Sequence, residues 1–445
     1  MSTTPFTRAQ LAAVDIERGG EDACIVAGPG SGKTTVLVEY FRRLVKDGGV
    51  DPLRILAITF TEKAAGNMRK KLARAFQDRP DTRAKLERAW VSTVHGFCAR
   101  LLHENAVFAG VDPEFRVLDE RASWRMQQDA IRAAVNALFA ERLAEMRALI
   151  RGLSSWEFEQ AVLSAYDTMR GAGIGVDALA HFAAPAGVTL EDVEETLDAI
   201  RGESLSGWRE DHRQHLEEAL EAAERMLSAN STRASLEALA AFPLKLNKCK
   251  RGNQAYDLVK VLKERIEGAE YSLITELYAR ERTLLIELVR RFDAIYRERK
   301  LAAGVLDFAD LEEYTVRLLD SHHETRARLQ RQFDHVLMDE FQDTNGQQAK
   351  LVGRIRPPDR FYAVGDINQS IFGFRHAEPE GFERYRAEIE ARERRLVELE
   401  ENFRSRADIL SAVETVTEGL PGIVERPLSP GRKFDDSPEF AVGNR

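Results

Sequence analysis

The stretch ACIVAGPGSGKTTVLVEYFRRLV, residues 23–45, carries three textures in succession. An apolar run, ACIVAG, gives way to the glycine-rich AGPGSGKT at 27–34, and this to TTVLVEYFRRLV, whose apolar residues recur at helical spacing. The order predicts a buried strand, a tight loop and a helix. Glycines let the loop backbone turn its amides toward a phosphate, and the helix N-terminus adds positive potential. The candidate phosphate-binding set is Ala27, Gly28, Pro29, Gly30, Ser31, Gly32, Lys33, Thr34 and Thr35. Lys33 would reach the β- and γ-phosphates of a nucleotide, and Thr34 would hold Mg²⁺. Ala27 opens the loop where the strict pattern has glycine, although Gly28 and Gly30 keep the needed freedom.

Outward from this stretch, short apolar runs recur: ILAITF at 55–60, WVSTVHG at 90–96, HVLMDE at 335–340 and FYAVGD at 361–366. They read as buried parallel strands separated by helical patterns, which makes an α/β sheet covered on both faces. HVLMDEFQDTN, residues 335–345, runs its strand straight into Asp339 and Glu340. Adjacent carboxylates repel, so a positive partner is expected beside them. A glycine-rich turn alone, or two acids at a strand end alone, needs no ligand. Together they predict a nucleotide-hydrolysing pair, with Asp339 on Mg²⁺ through water and Glu340 as the general base for the attacking water.

Residues 106–301 differ in texture, being rich in Ala, Leu, Glu and Arg at helical spacing, and are expected to form a helical domain inserted between strands. Its loop FPLKLNKCKRGN carries Lys245, Lys248, Lys250 and Arg251, which read as a solvated connector or, alternatively, a phosphate-contacting loop. Past residue 378 come a charged helix, a strand RLVELEENF and a helix from about Ala407. Four prolines and three glycines then fill the tail from Leu420, where weak order is expected.

The 445 residues exceed one ordinary core, so two or three domains are expected. With 44% hydrophobic and 31% charged residues, the composition is that of a water-soluble globular protein. The net charge of −9 argues mildly against a broad basic surface but leaves room for a local basic groove. Three scattered cysteines without CxxC spacing exclude a disulfide framework or a zinc site and suit a reducing cytoplasm. MSTTPFTRAQ lacks the pattern of a signal peptide, and no run approaches the roughly 20 apolar residues of a membrane span, so no membrane role is expected.

Five further stretches carry a family resemblance: QDTN after the acid pair, VGDINQSIFGFR at 364–375, TFTEKAAGNMRKKL at 59–72, STVHGFC at 92–98 and LEENFRS at 399–405. In their order along the chain they resemble the motifs of UvrD/Rep-type superfamily 1 DNA helicases over residues 6–406, apart from most of the helical insert. The resemblance implies a RecA-like P-loop domain at 1–105 plus 302–378, a large all-helical insertion at 106–301, and the incomplete start of a second RecA-like domain at 379–445. It implies ATP and Mg²⁺ as cofactors, single-stranded DNA or a duplex junction as partner, and 3′-to-5′ movement driven by hydrolysis. Gln10 matches the residue that reads the adenine edge, Phe403 the ring stacked on adenine, Gln369 the γ-phosphate sensor and Arg404 an arginine finger. Thr59, Phe60, Thr61 and Lys63 match one loop that grips single-stranded DNA, and Ser92, Thr93 and His95 match a second. Phe372 and Phe374 match a platform on which bases stack. Bland readings stand beside these: a surface glutamine for Gln10, a salt bridge for Arg404, a structural histidine for His95, core packing for Phe372 and Phe374.

STVHGFC, FTEKAAG and LDFADLE look closer to the AddA/RecB branch, which processes double-strand breaks and admits a partner subunit. No counterpart of the later motifs follows Arg404, so the chain resembles the N-terminal part of a helicase and is not expected to unwind DNA by itself. A different class of function stays open, a nucleotide-dependent DNA-binding or regulatory module without a motor cycle.

Overall fold

The computed structural model describes residues 6–18, 20–181, 188–239, 242, 244–245, 254–373, 376–417, 423 and 429–431. These fall into two compact units, one of Met1–Met126, Ser164–Ile174 and Glu298–Arg445, the other of Gln127–Leu163 and Gly175–Arg297.

The first unit is built on six parallel strands: β1 (Ala23–Ala27), β2 (Ile55–Thr59), β3 (Trp90–Thr93), β4 (His335–Met338), β5 (Phe361–Gly365) and β6 (Arg395–Leu399). They lie in the order β3-β2-β4-β5-β1-β6. Burial on both faces explains their near-continuous apolar character. In β1, Cys24 and Val26 face a core with Leu56, Val336 and Phe361, whereas Ala23, Ile25 and Ala27 face another with Val36, Phe41 and Tyr362.

Helix α1 (Arg8–Ala13) precedes β1, and α2 (Lys33–Lys46) follows the glycine-rich loop. Val36, Leu37, Tyr40, Phe41 and Leu44 form one buried stripe of α2, as the sequence spacing requires. Helices α3 (Glu62–Ala75) and α4 (Val94–Glu104) leave β2 and β3, capped by the hydroxyls of Thr61 and Thr93 on the amides of Ala64 and Gly96. Helices α5 (Phe308–Ser321), α6 (Gly346–Ile355) and α7 (Pro379–Ala391) complete the unit's main layers.

A buried ionic cluster fixes the start of α5. Asp307 and Asp310 form a capping box, and Arg170 reaches both at 3.1 and 2.8 Å, with Glu313 at 3.0 Å. Lys300 lies 2.7 Å from Asp307 and 2.6 Å from Asp310. Burial alone would raise the Asp307 carboxyl, but Arg170 and Lys300 hold it well below the usual carboxylate range.

One expectation is revised by the sheet. The sequence places RLVELEENF in a separate domain that opens after residue 378, yet β6 pairs along β1 from Ala23–Arg395 to Ala27–Leu399. Its Leu396 and Val397 pack on opposite cores, so this strand serves as the sheet's edge. Glu401–Asn402 then makes a short parallel pair with Ser429–Pro430.

The second unit is helical, as its composition predicts. Helices Leu190–Arg201, Glu210–Leu227, Thr232–Leu239 and Gln254–Leu277 enclose a core that includes Leu197, Trp208, Leu216, Met226 and Leu262. His215 accepts a hydrogen bond from the Lys245 amide at 2.9 Å. Lys248, Lys250 and Arg251 lie outside the described residues. Among the described residues no helix is long and apolar enough to cross a membrane.

Candidate nucleotide and nucleic-acid site

Parallel strands place all their C-terminal ends on one edge of a sheet, where loops can carry chemistry. Here that edge gathers the loop after β1, Thr59 of β2, Thr93 of β3, Asp339 after β4, Asp366 after β5 and the segment after β6.

In the glycine-rich loop, Gly30 and Gly32 have φ of 71° and 94°, a region that disfavours other residues. A side chain on Gly30 would also meet Arg404 Cβ and Asn402 Oδ1, each 2.7 Å away. The reason is a docked segment. Asn402 Nδ2 donates to Pro29 O at 2.5 Å, the Phe403 amide donates to Gly30 O at 2.9 Å, and the Gly28 amide donates to Leu399 O at 3.4 Å. Asn402 Oδ1 accepts from the Arg404 and Ser405 amides, both at 2.8 Å. Arg404 is thereby carried on the loop, with its side chain exposed and, among the described residues, without an ion pair. Phe403 is half-buried.

Lys33 is buried and answers the question posed by the acid pair. Its Nζ lies 2.8 Å from Glu340 Oε2 and donates to Gln369 Oε1 at 2.7 Å. Thr34 Oγ1 donates to Asp339 Oδ2 at 3.3 Å. Burial first, and the Glu340 charge second, push Asp339 up to about 6 against the opposing pull of Lys33 and Thr34. Glu340 itself stands at φ 52°, a left-handed conformation costly for a non-glycine residue and concentrated at functional sites.

Gln369 also donates to Asp366 Oδ2 at 2.6 Å and to Ala27 O at 3.3 Å. Gln342 donates to Glu340 Oε2 and Asp343 Oδ2, both at 3.0 Å, and accepts from the Asp366 amide at 3.0 Å. Burial and the Glu340 charge push Asp343 up to about 6 as well. Gln10 is buried beside the loop, its amide donating to Ser31 O at 2.9 Å and accepting from the Thr7 amide at 3.2 Å. The surface reading of Gln10 is thereby corrected. Thr35 follows Thr34 in the first turn of α2, and its amide donates to Gly32 O at 2.8 Å.

Beside this site lies a cavity of ≈ 630 Å³ whose walls include Phe60, Thr61, Thr93, His95, Phe308 and Glu312. The rings of Phe60 and Phe372 meet with centroids 4.4 Å apart at 41°. Thr59 is buried, its hydroxyl donating to Thr61 O at 3.2 Å, whereas Lys63 is exposed. Thr93 Oγ1 donates to Glu62 at 2.7 Å. Among the described residues, the buried Ser92 hydroxyl has no hydrogen-bond partner. His95 stacks on Phe308, with centroids 4.6 Å apart, and its Nε2 lies 2.9 Å from Glu312 Oε1. Phe374 lies outside the described residues.

This edge brings together motifs that the sequence scatters, and their order can be compared with known proteins. Residues 6–390 match the family model of the UvrD/REP helicase N-terminal domain. The chain belongs to this family. Among UvrD/REP-type relatives, it is 31% identical to an ATP-dependent helicase/nuclease subunit of Pelotomaculum thermopropionicum, over 92% of this chain and 38% of the relative. The proteins of the same name from Anoxybacillus flavithermus and Geobacillus thermodenitrificans are 28% and 27% identical, each over 89% of this chain and over 39% and 38% of their own lengths. The chain thus spans about two fifths of the curated relatives it matches.

Residue types alone do not single out Gln342, Asp343, Asp366, Asn402 or Glu312. All five stand inside quoted motifs, QDTN, VGDINQSIFGFR, LEENFRS and LDFADLE, but nothing local tells an asparagine that docks on a loop from one facing water.

Proposed function

We propose that this chain is the nucleotide-binding motor portion of an ATP-dependent DNA helicase or translocase that works in DNA repair or recombination. The observation that carries the reading is Lys33, whose ammonium joins the acid pair and Gln369 at the edge of the sheet. In this arrangement Lys33 holds the hydrolytic carboxylate. A nucleotide's terminal phosphates would compete for the ammonium and release Glu340 to accept a proton from the attacking water.

Thr34 and Asp339 fit a Mg²⁺ site, since one hydroxyl and one carboxylate, with phosphates and waters, is the usual sparse protein contribution for this ion. When bound, the ion would neutralise phosphate charge. The flanking roles follow the family motifs: Gln10 and Phe403 toward adenine, Gln369 toward the γ-phosphate, and Arg404 toward transition-state charge.

Single-stranded DNA is the proposed partner of the cavity and its aromatic rim. Thr59, Phe60, Thr61, Lys63, Ser92, Thr93 and His95 supply hydroxyls, amides and one exposed cation, and Phe372 and Phe374 supply rings for base stacking. Travel is proposed to be 3′ to 5′, in the cytoplasm. The relatives are named as subunits, which supports a partner chain in the complete assembly. The proposal covers only the helicase half of their name.

The test is nucleotide turnover with and without single-stranded DNA, on this chain and on a version extended to the relatives' length. DNA-stimulated hydrolysis in the extended protein, lost in Glu340→Gln, is the expected result. Nucleotide-dependent DNA binding without turnover in either version would favour the regulatory-module reading instead.

A further inference from the structure

We propose that Glu312 is a positioning residue that links the DNA-facing cavity to the hydrolytic acid pair, an inference that rests on the function proposed above. Glu312 is 4% exposed. Its Oε1 lies 2.9 Å from His95 Nε2 and accepts from Gln348 Nε2 at 2.6 Å, while its Oε2 accepts from Asn345 Nδ2 at 3.3 Å. A buried carboxylate is costly unless hydrogen bonds satisfy it, so its place is dictated by these neighbours.

The neighbours line one cavity but stand on different elements of its wall. His95 stands on the cavity wall, its ring against Phe308. Asn345 and Gln348 stand at the start of α6, where Asn345 Oδ1 caps the helix by accepting from the Gln348 amide at 2.8 Å. Asn345 also follows directly on Thr344, which closes the turn that begins at Glu340. Within that turn Gln342 bonds Glu340 directly. Hydrogen bonds thus run from His95 through Glu312 to Asn345, and the backbone of the turn leads on to Glu340, which Gln342 and Lys33 hold.

Two features make this path a candidate for coupling beyond packing. Oε1 of Glu312 is shared between His95 and Gln348, so drawing His95 toward a ligand in the cavity changes the acceptor that Gln348 sees. And the residue at the far end, Glu340, is held in a strained backbone conformation at φ 52°, which small changes in its support can bias. The ionic cluster of Arg170, Lys300, Asp307 and Asp310 fixes the first turn of α5, so Glu312 has a firm base against which the side chains can shift.

Coupling between two sites is reciprocal, and this is how the inference is tested. The affinity of a fluorescent oligo-dT strand is measured with and without a non-hydrolysable ATP analogue and Mg²⁺, and the analogue's affinity with and without oligo-dT. Wild type should show the same factor in both directions, about fivefold or more. Glu312→Ala should bring that factor to within about twofold of unity while each ligand alone binds within about threefold of wild type. Glu312→Gln, which keeps one acceptor oxygen, should restore part of the factor. Should Glu312→Ala fail to fold, Gln348→Leu, which removes the motor-side bond and leaves Glu312 in place, is judged by the same criterion. Retained coupling in the folded variant would overturn the inference, as would a wild type that binds both ligands independently. A wild type that binds neither ligand would instead overturn the proposed function.

Discussion

Lys33 Nζ lies 2.8 Å from Glu340 Oε2, so the lysine proposed to bind phosphate and the carboxylate proposed as the base neutralise each other. Without Lys33, Glu340 is left facing the like-charged Asp339 and Asp343. In the proposed function, the pair would tie nucleotide entry to release of the base.

This relationship separates the roles of the two residues. Lys33→Ala should reduce ATP affinity at least tenfold, because the ammonium contacts phosphate in ground and transition states alike. Glu340→Gln should keep affinity within a few fold and abolish turnover in the length-extended protein. Equal loss of nucleotide affinity in both variants, by equilibrium titration, would sink the division.

Asn402 makes three hydrogen bonds, one that docks the segment after β6 on Pro29 of the glycine-rich loop and two that fix the amides of Arg404 and Ser405 within that segment. Asn402→Ala leaves Pro29 O and two amides without these partners, at a cost of about 1–3 kcal/mol. Thermal unfolding should move down by several degrees. Arg404, freed from its seat, should lose its contribution to turnover in the extended protein. An unchanged melting temperature would show that water replaces the asparagine.

The paired rings of Phe60 and Phe372 allow a test of stacking against packing. Phe372→Ala should weaken single-stranded DNA binding by ~1–3 kcal/mol with no change in salt slope, because stacking releases no counterions. Lys63→Ala should lower that slope by about one unit. A Phe372→Ala protein that melts lower yet binds DNA as before would assign the ring to packing alone.

The pH dependence of folding contains opposed contributions. Burial, with Arg360 beside it, lowers His335 to about 4, so the unfolded chain binds this proton first and stability falls as pH drops from about 6.5 toward 4. Asp339 and Asp343, both raised to about 6, act in the other direction: their stabilisation is present at low pH and is lost as pH rises through 6. Asp343→Asn should therefore make stability climb more steeply with pH between 4 and 6 than in wild type. Denaturant melts across that range decide it, and parallel profiles would show that Asp343 does not titrate there.

Much of the first unit was legible in the sequence because its signals are local. A buried strand, a glycine loop and an amphipathic helix occupy one run of chain at 23–45, and each obeys a rule of short range: burial on both faces for β1, positive φ at Gly30 and Gly32, a 3.6-residue stripe for α2. The acid pair after β4 was readable for the same reason. The order of motifs then pointed to the family before any tertiary contact was known.

By itself, then, the sequence determined the class of fold, the glycine-rich loop with Lys33 and Thr34 between strand and helix, and the need for a cation beside Asp339 and Glu340. Only the tertiary structure decided which distant residues complete these features. Strand periodicity could not say that β6 pairs with β1, because an edge strand and the first strand of a new sheet bury the same alternating side chains. Nor could composition distinguish Asn402 on Pro29, or Glu312 between His95 and Gln348, from polar residues facing water. A hydrogen bond across hundreds of residues depends on where the chain returns in space, and that is set by the sum of the packing rather than by any run of neighbours.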